Sequence, residues 1–137
     1  MPELTRLLAE GKEVRFTPSG QSMRPFIEGD RDSVILVPMN REPKRGDIVL
    51  AQAKTADNQM IYVLHRISKI ISDKKPVYVL QGDGNLRGEE YTSREQIIGR
   101  VTRIEGPNGK RKILSRGLIW QALRPIRPIL LKIYRHL

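Results

Sequence analysis

The chain has 137 residues, of which 39% are hydrophobic and 29% are charged. This length and balance are typical of one globular domain with a core of its own. There is no cysteine, which excludes disulfides and thiolate metal sites, and two histidines are too few for a histidine-only metal cage. We therefore expect neither a metal nor another cofactor.

The net charge of +10 is concentrated near the end of the chain. Residues 106–137 contain eight basic residues and no acidic ones, whereas residues 1–105 contain 17 basic and 15 acidic ones. Such a basic tail indicates an anionic lipid surface, an acidic partner or nucleic acid. Nucleic acid is the least favoured of these, because the chain has no RNP-like, zinc-finger or helix-turn-helix pattern.

The start of the chain lacks the long apolar region of a signal peptide. No run approaches the roughly 18 apolar residues that a membrane-spanning helix needs. We therefore expect a cytoplasmic or a peripheral membrane protein.

Taken in chain order, the elements predict a mainly β protein. Residues 3–11 predict a short helix that ends at Gly11. Alternating or continuous apolar runs predict strands at 13–17, 33–37, 48–51, 60–71, 77–80, 97–104 and 110–114. Residues 86–95 are charged and are predicted to be irregular. Short strands separated by Gly, Pro and Asn turns favour an antiparallel barrel or folded sheet over residues 1–114.

Residues 115–137 change period. Their apolar residues recur at three- and four-residue steps with basic residues mostly opposite, which predicts an amphipathic helix that Pro125 and Pro128 kink or divide. Three uses of this tail are open: a helix across the β core, an in-plane anchor on an anionic membrane, or a helix that binds a partner protein. The first use would bury Ile119, Leu123, Ile126, Leu130 and Ile133.

Residues 18–25 contain two prolines, a glycine and two serines, a composition that predicts a shaped turn presenting a hydroxyl group. Ser22 on this turn, His65 and an acid within 83–90 supply the parts of a nucleophile, a general base and an orienting carboxylate. The structural alternatives are a loop serine that bonds its own backbone and a core-edge imidazole that bonds backbone.

Five segments then carry a family resemblance. They are 20–25 (Gly-Gln-Ser-Met-Arg-Pro), 44–49 (Lys-Arg-Gly-Asp-Ile-Val), 65–67 (His-Arg-Ile), 82–85 (Gly-Asp-Gly-Asn) and 98–101 (Ile-Gly-Arg-Val). In order and approximate spacing they resemble the sequence boxes of the signal peptidase I family. The resemblance covers residues 14–104, and it implies a mostly antiparallel β fold that LexA-type repressors share, with the nucleophile on a loop and the base on a strand.

A histidine before Arg66 resembles the endoplasmic-reticulum and archaeal branch of that family, in which serine and histidine work with an aspartate. In that branch the acid lies four residues after the Asn of the Gly-Asp-x-Asn box, which here is Glu89, so a glutamate replaces the aspartate. Asp83 is the other candidate. Lys69 is an alternative base, because an even spacing from His65 would place both on one face of a strand.

By the same resemblance, the oxyanion donors would be the backbone N–H near Ser22 and a hydroxyl such as that of Ser19. The implied function is a serine endopeptidase that cleaves a protein or peptide through a Ser22 acyl-enzyme, with His65 as base. The alternatives are a non-catalytic binding module on the same fold and a LexA-like self-cleaving peptidase, which would use a lysine base. Family members that process exported proteins carry an N-terminal membrane anchor, whereas this sequence has a short polar start before Ser22.

Overall fold

A computed structural model describes residues 2–24, 26–71, 74–84, 88–112 and 127–135. In chain order, the elements are helix α1 (Pro2–Ala9), strands β1 (Val14–Phe16), β2 (Ser33–Pro38), β3 (Ile48–Lys54), β4 (Met60–Ile71), β5 (Val77–Gln81) and β6 (Glu90–Thr92), a 3₁₀ turn (Arg94–Gln96), strands β7 (Ile97–Glu105) and β8 (Arg111–Lys112), and helix α2 (Arg127–Arg135). The prediction of a mainly β protein with a short N-terminal helix is confirmed.

The strands form one antiparallel sheet in the order β1-β2-β7-β3-β4-β5-β6, and β8 pairs with β7. The sheet also closes on itself, because Lys54 of β3 pairs with Tyr91 of β6. Strands β3 to β6 therefore make a ring, and β7, β2 and β1 extend from it. The predicted antiparallel architecture is confirmed.

Strand β3 is buried on both faces, as its continuous apolar sequence requires. Ile48 and Leu50 belong to one core, and Val49, Ala51 and Ala53 belong to a second core inside the ring. The two cores thus lie on opposite sides of one strand, and the ring is joined rigidly to the rest of the sheet.

The first core also fixes the loop between β1 and β2, which is called the serine loop here (residues 17–32). Met23 and Ile27 of this loop are buried in the first core, with exposed fractions of 5% and 1%. Ser22 therefore lies beside an anchored methionine, so its position is set by the packing of the core.

The sequence predicted irregular structure for residues 86–95, and this is wrong for residues 90–92, which form strand β6. Residues 90–92 (Glu-Tyr-Thr) pair with β5, with Leu80 opposite Glu90 and Tyr78 opposite Thr92. The strand has only three residues and adjoins charged neighbours, so its alternation is too short to stand out in the sequence.

Helix α2 begins at Arg127, with Pro128 in its first turn, where a missing N–H leaves no helical hydrogen bond unmade. Leu131 is buried, whereas Ile133 is 54% exposed and so is not buried as packing of the tail across the β core would require. The nine-residue helix turns another face to the protein than the one assigned from the longer pattern. Leu130 is half-buried.

Three further residues that this use of the tail would bury lie outside the described residues: Ile119, Leu123 and Ile126. So do Pro125 and the end of the strand predicted over 110–114. In the ranges that are described, no helix is long and apolar enough to cross a membrane.

Candidate active site

The structure brings Ser22 and His65 together. The Ser22 Oγ lies 3.0 Å from the His65 Nε2, within hydrogen-bond distance. Ser22 is half-buried on the serine loop, and His65 is buried on β4. The two residues are 43 positions apart, so the fold, and no local turn, creates this contact.

A buried carboxylate completes the hydrogen-bond chain. The Oε1 of Glu90 lies 2.5 Å from the Nδ1 of His65. An ionised carboxylate can only accept a hydrogen bond, so the neutral imidazole carries its proton on Nδ1. The lone pair of Nε2 then faces the Ser22 hydroxyl, which donates to it.

The register of the ring explains why Glu90 reaches His65. Ile67 of β4 lies opposite Leu80 of β5, and Leu80 lies opposite Glu90 of β6, so these three share one face. His65 precedes Ile67 by two residues and lies on that same face. Gly82 follows Leu80 by two residues, and its lack of a side chain leaves room for the backbone of Ser22.

Glycines also let the turn after β5 touch the backbone of the serine loop. A Cβ on Gly82 would lie 2.3 Å from the carbonyl oxygen of Ser22, and one on Gly84 would lie 2.8 Å from that of Gln21. The Gly84 N–H donates to the Ser22 carbonyl at 2.7 Å. The segment 82–84 therefore supports the backbone of Ser22.

We expect Gly82→Ala to displace this support, because no side chain can relax a clash between a Cβ and a backbone oxygen. The variant should lose roughly 1–3 kcal/mol of folding free energy, measured by denaturant unfolding, and should lose the Ser22–His65 contact. Gly106→Ala is the matched control, since the nearest atom to its Cβ is 3.8 Å away. Equal stabilities of the two variants would contradict this account.

The two predicted acids, Glu89 and Asp83, are not the carboxylate beside His65. The residue four positions after the Asn of the Gly-Asp-x-Asn box is Glu89, but the next residue, Glu90, is the one that bonds to His65. Adjacent residues at a strand project to opposite sides, so an error of one position exchanges the faces. The sequence alternation over 90–92 points the other way, because the two polar residues, Glu90 and Thr92, are buried while Tyr91 is exposed.

Asp83 instead pairs with Arg66, by two hydrogen bonds of 2.8 Å between buried side chains. Arg66 also donates to the carbonyl oxygen of Gly46 at 2.8 Å, and its guanidinium lies 5.1 Å from the ring centre of Phe26. One arginine thus joins the turns around residues 46 and 83 to the serine loop. Three of the segments that resemble family boxes, 44–49, 65–67 and 82–85, are thus joined through Arg66.

Lys69 faces away from His65, contrary to the prediction from even spacing. A bulge at Ser68 shifts the register, so that Ile67 pairs with Leu80 while Lys69 pairs with Val79. Leu80 and Val79 are neighbours on β5 and project to opposite faces. One extra residue in β4 therefore separates Lys69 from the site, and its side chain is exposed.

A cleft of about 180 Å³ opens beside Ser22 and His65. The serine loop forms one wall, which includes the exposed Ser19, and residues 62–65 of β4 form the other.

The Ser22 carbonyl accepts a hydrogen bond from the 82–84 turn. Within the described ranges, no group of three or more His, Asp or Glu side chains could hold a metal ion.

A second polar network links helix α2 to the serine loop. The Tyr134 hydroxyl donates to Oε2 of Glu28 at 2.9 Å, and Arg24 donates to Oε1 of Glu28 at 2.6 Å. The hydrogen bond from Arg24 lowers the pKa of Glu28, while burial, and then the hydrogen bond to Glu28, raise the pKa of Tyr134. Sequence analysis missed this contact, since it joins residues 106 positions apart.

Comparisons with protein-family models, with curated proteins and with solved structures give no match for this chain. The geometry of the site and the resemblance of the five sequence segments are therefore the features that bear on function.

Proposed function

We propose that the protein is a serine endopeptidase resembling signal peptidase I, with Ser22 as nucleophile, His65 as general base and Glu90 as the carboxylate that orients the base. The observation that carries the proposal is the unbroken chain from the Ser22 hydroxyl through both imidazole nitrogens to the buried Glu90. A hydroxyl is a weak nucleophile until a base takes its proton, and this chain supplies that base.

In the first step, the Ser22 Oγ bonds to the carbonyl carbon of the substrate and its proton moves to the His65 Nε2. The Glu90 carboxylate accepts a hydrogen bond from the Nδ1–H and stabilises the imidazolium that forms. His65 then gives the proton to the amine as the C–N bond breaks, leaving an ester on Ser22. Water attacks this ester by the same route, which releases the acid and restores Ser22.

The tetrahedral oxyanion needs donors on the side of the cleft opposite His65. The backbone N–H of Ser22 and the hydroxyl of Ser19, which both belong to the serine loop, are our candidates. Anchoring of the loop through Met23 holds such donors in place before the reaction begins, so little reorganisation is needed.

The edge of β4 favours a polypeptide substrate. Residues 60–66 pair with β3 on one side, whereas β5 pairs only from Arg66 onward. In the described part of the chain, no strand pairs with the other edge of 60–65, and residues 62–65 line the cleft. An extended peptide can add to this edge as a further strand, with its carbonyl group close to Ser22.

The fold type belongs to the same proposal. A nucleophile on a loop, a base on a strand and an antiparallel sheet support a fold of the signal peptidase and LexA type. The outward orientation of Lys69 argues against the lysine-based, self-cleaving alternative, whereas the His65 base fits the branch that uses serine and histidine.

Labelling with a fluorophosphonate probe tests the proposal against a non-catalytic module. We expect Ser22 Oγ to displace fluoride and form one phosphonyl adduct, located by mass spectrometry in the peptide that contains Ser22. The Ser22→Ala variant should not be labelled. Ser93→Ala is the matched control and should be labelled as the wild type is, because the Ser93 hydroxyl donates to the Gln96 side chain. A folded wild-type protein that stays unlabelled would support the binding module instead.

A further inference from the structure

Helix α2 exposes an apolar and basic face. Ile129 is 61% exposed and Ile133 is 54% exposed, and they lie one turn apart with the exposed Lys132 beside them. Leu131, on another side of the helix, is buried, and Tyr134 bonds to Glu28. The helix is therefore docked by one side, while two large aliphatic side chains face outward on the other.

The charge of this region restricts what can cover the face. The helix itself, residues 127–135, contains Arg127, Lys132 and Arg135 and no acidic residue, so the segment that carries Ile129 and Ile133 is cationic. An anionic ligand satisfies the charge, but a nucleic acid backbone gives two isoleucine side chains nothing to insert into. A negatively charged lipid surface satisfies both requirements.

Within the described residues 127–135, about 14 Å of helix, the large exposed apolar side chains are Ile129 and Ile133. A stable protein interface matches the shapes of both partners over roughly 800 Å² on each. A bilayer requires no matching shape, and it takes up the side chains one by one. We propose that helix α2 binds an anionic lipid surface, with Ile129 and Ile133 inserted among the acyl chains and Lys132 at the headgroups.

The docking of α2 has a consequence for the rest of the molecule. Tyr134 ties the helix to Glu28, six residues after Ser22 on the serine loop. A helix that lies on the membrane would therefore hold the serine loop near the lipid surface. Lipid binding itself does not depend on whether Ser22 is catalytic.

Co-sedimentation of the full-length chain with vesicles tests the proposal. We expect binding to vesicles made from equal parts of phosphatidylcholine and phosphatidylserine, weaker binding as sodium chloride rises, and little binding to phosphatidylcholine alone. The double variant Ile129→Ser with Ile133→Ser should reduce the partition coefficient roughly tenfold or more. Lys132→Glu should reduce it about tenfold.

Matched controls separate this face from general charge and hydrophobicity. Ile71→Ser removes an isoleucine that is 43% exposed on β4, and Lys69→Glu reverses an exposed charge on the same strand; both should bind within about twofold of the wild type. Circular dichroism verifies that each variant is folded. Salt-independent binding to both lipid mixtures, or unchanged binding of the isoleucine variant, would overturn the proposal.

Two other occupants would be recognised by the same experiment. Absence of vesicle binding, together with self-association that the isoleucine variant loses, would assign the face to a second copy of the chain. Absence of vesicle binding, together with heparin binding that survives the isoleucine substitutions, would assign the charge to a polyanion. Either result would overturn the lipid proposal.

Discussion

Replacing Ser22 or His65 with alanine should each lower kcat/KM for a cleaved peptide by roughly 10³-fold or more. In the proposed mechanism the two side chains act as one unit, because the Ser22 hydroxyl gives its proton to the imidazole that it contacts. The double variant should therefore be no slower than the slower single variant. The measurement is the rate of cleavage of a peptide selected from a library by the wild-type protein.

Lys69→Ala is the control for this prediction and should cleave at the wild-type rate, because its side chain is turned away from the site by the bulge at Ser68. The unfolding temperature of Ser22→Ala should stay close to that of the wild type, since Ser22 is half-buried and fills no core position. An active His65→Ala variant together with an inactive Lys69→Ala variant would show that the base is the lysine.

The pairing of Ser22 with His65 could be predicted because segments 20–25 and 65–67 resemble two boxes of one family, whereas their local patterns predict only a loop and a strand. The proline- and glycine-rich turn around Ser22 shapes a loop, and β4 has the bounds, 60–71, that its apolar pattern predicts. Most of the strands could be predicted because a buried strand has apolar residues at consecutive or alternating positions.

Glu90, the carboxylate that bonds to His65, could not be predicted from the sequence, because its position depends on the register between β5 and β6. Strand β6 is three residues long, and whether Glu89 or Glu90 faces the ring is decided by its pairing with β5. The bulge at Ser68 is a similar case. Nothing in the sequence around it marks an extra residue, yet it moves Lys69 to the other face.

Segment 82–84 (Gly-Asp-Gly) could be given either a catalytic or a structural role from its sequence. Asp83 is a reasonable catalytic acid by composition, but its partner is the buried Arg66. The glycines on either side let the turn approach the serine loop at distances that no side chain would permit. This segment therefore holds the backbone of Ser22 in place, and the buried ion pair between Arg66 and Asp83 in turn holds the segment.

Glu90→Gln should lower kcat by roughly 10²- to 10⁴-fold with little change in KM. Glutamine has nearly the same size, so the buried site stays filled, but its neutral amide cannot stabilise the imidazolium that forms on His65. Its NH₂ group can also donate to Nδ1, which selects the imidazole tautomer with the proton on Nε2 and removes the acceptor that Ser22 needs. The measurement is steady-state cleavage together with the rate of fluorophosphonate labelling.

Substitutions of two neighbouring carboxylates, Glu89 and Asp83, are the controls for Glu90→Gln. Glu89→Gln removes the same charge one residue earlier and should stay within about twofold of the wild type. Asp83→Asn leaves the buried Arg66 without its charged partner and should cost about 3–5 kcal/mol of folding free energy, measured by denaturant unfolding. Loss of activity at unchanged stability in Glu90→Gln would thus separate a carboxylate that serves His65 from one that supports the fold. A Glu90→Gln variant as active as Glu89→Gln would mean that the short contact between Glu90 and His65 contributes nothing to catalysis, and the assignment of Glu90 would be wrong.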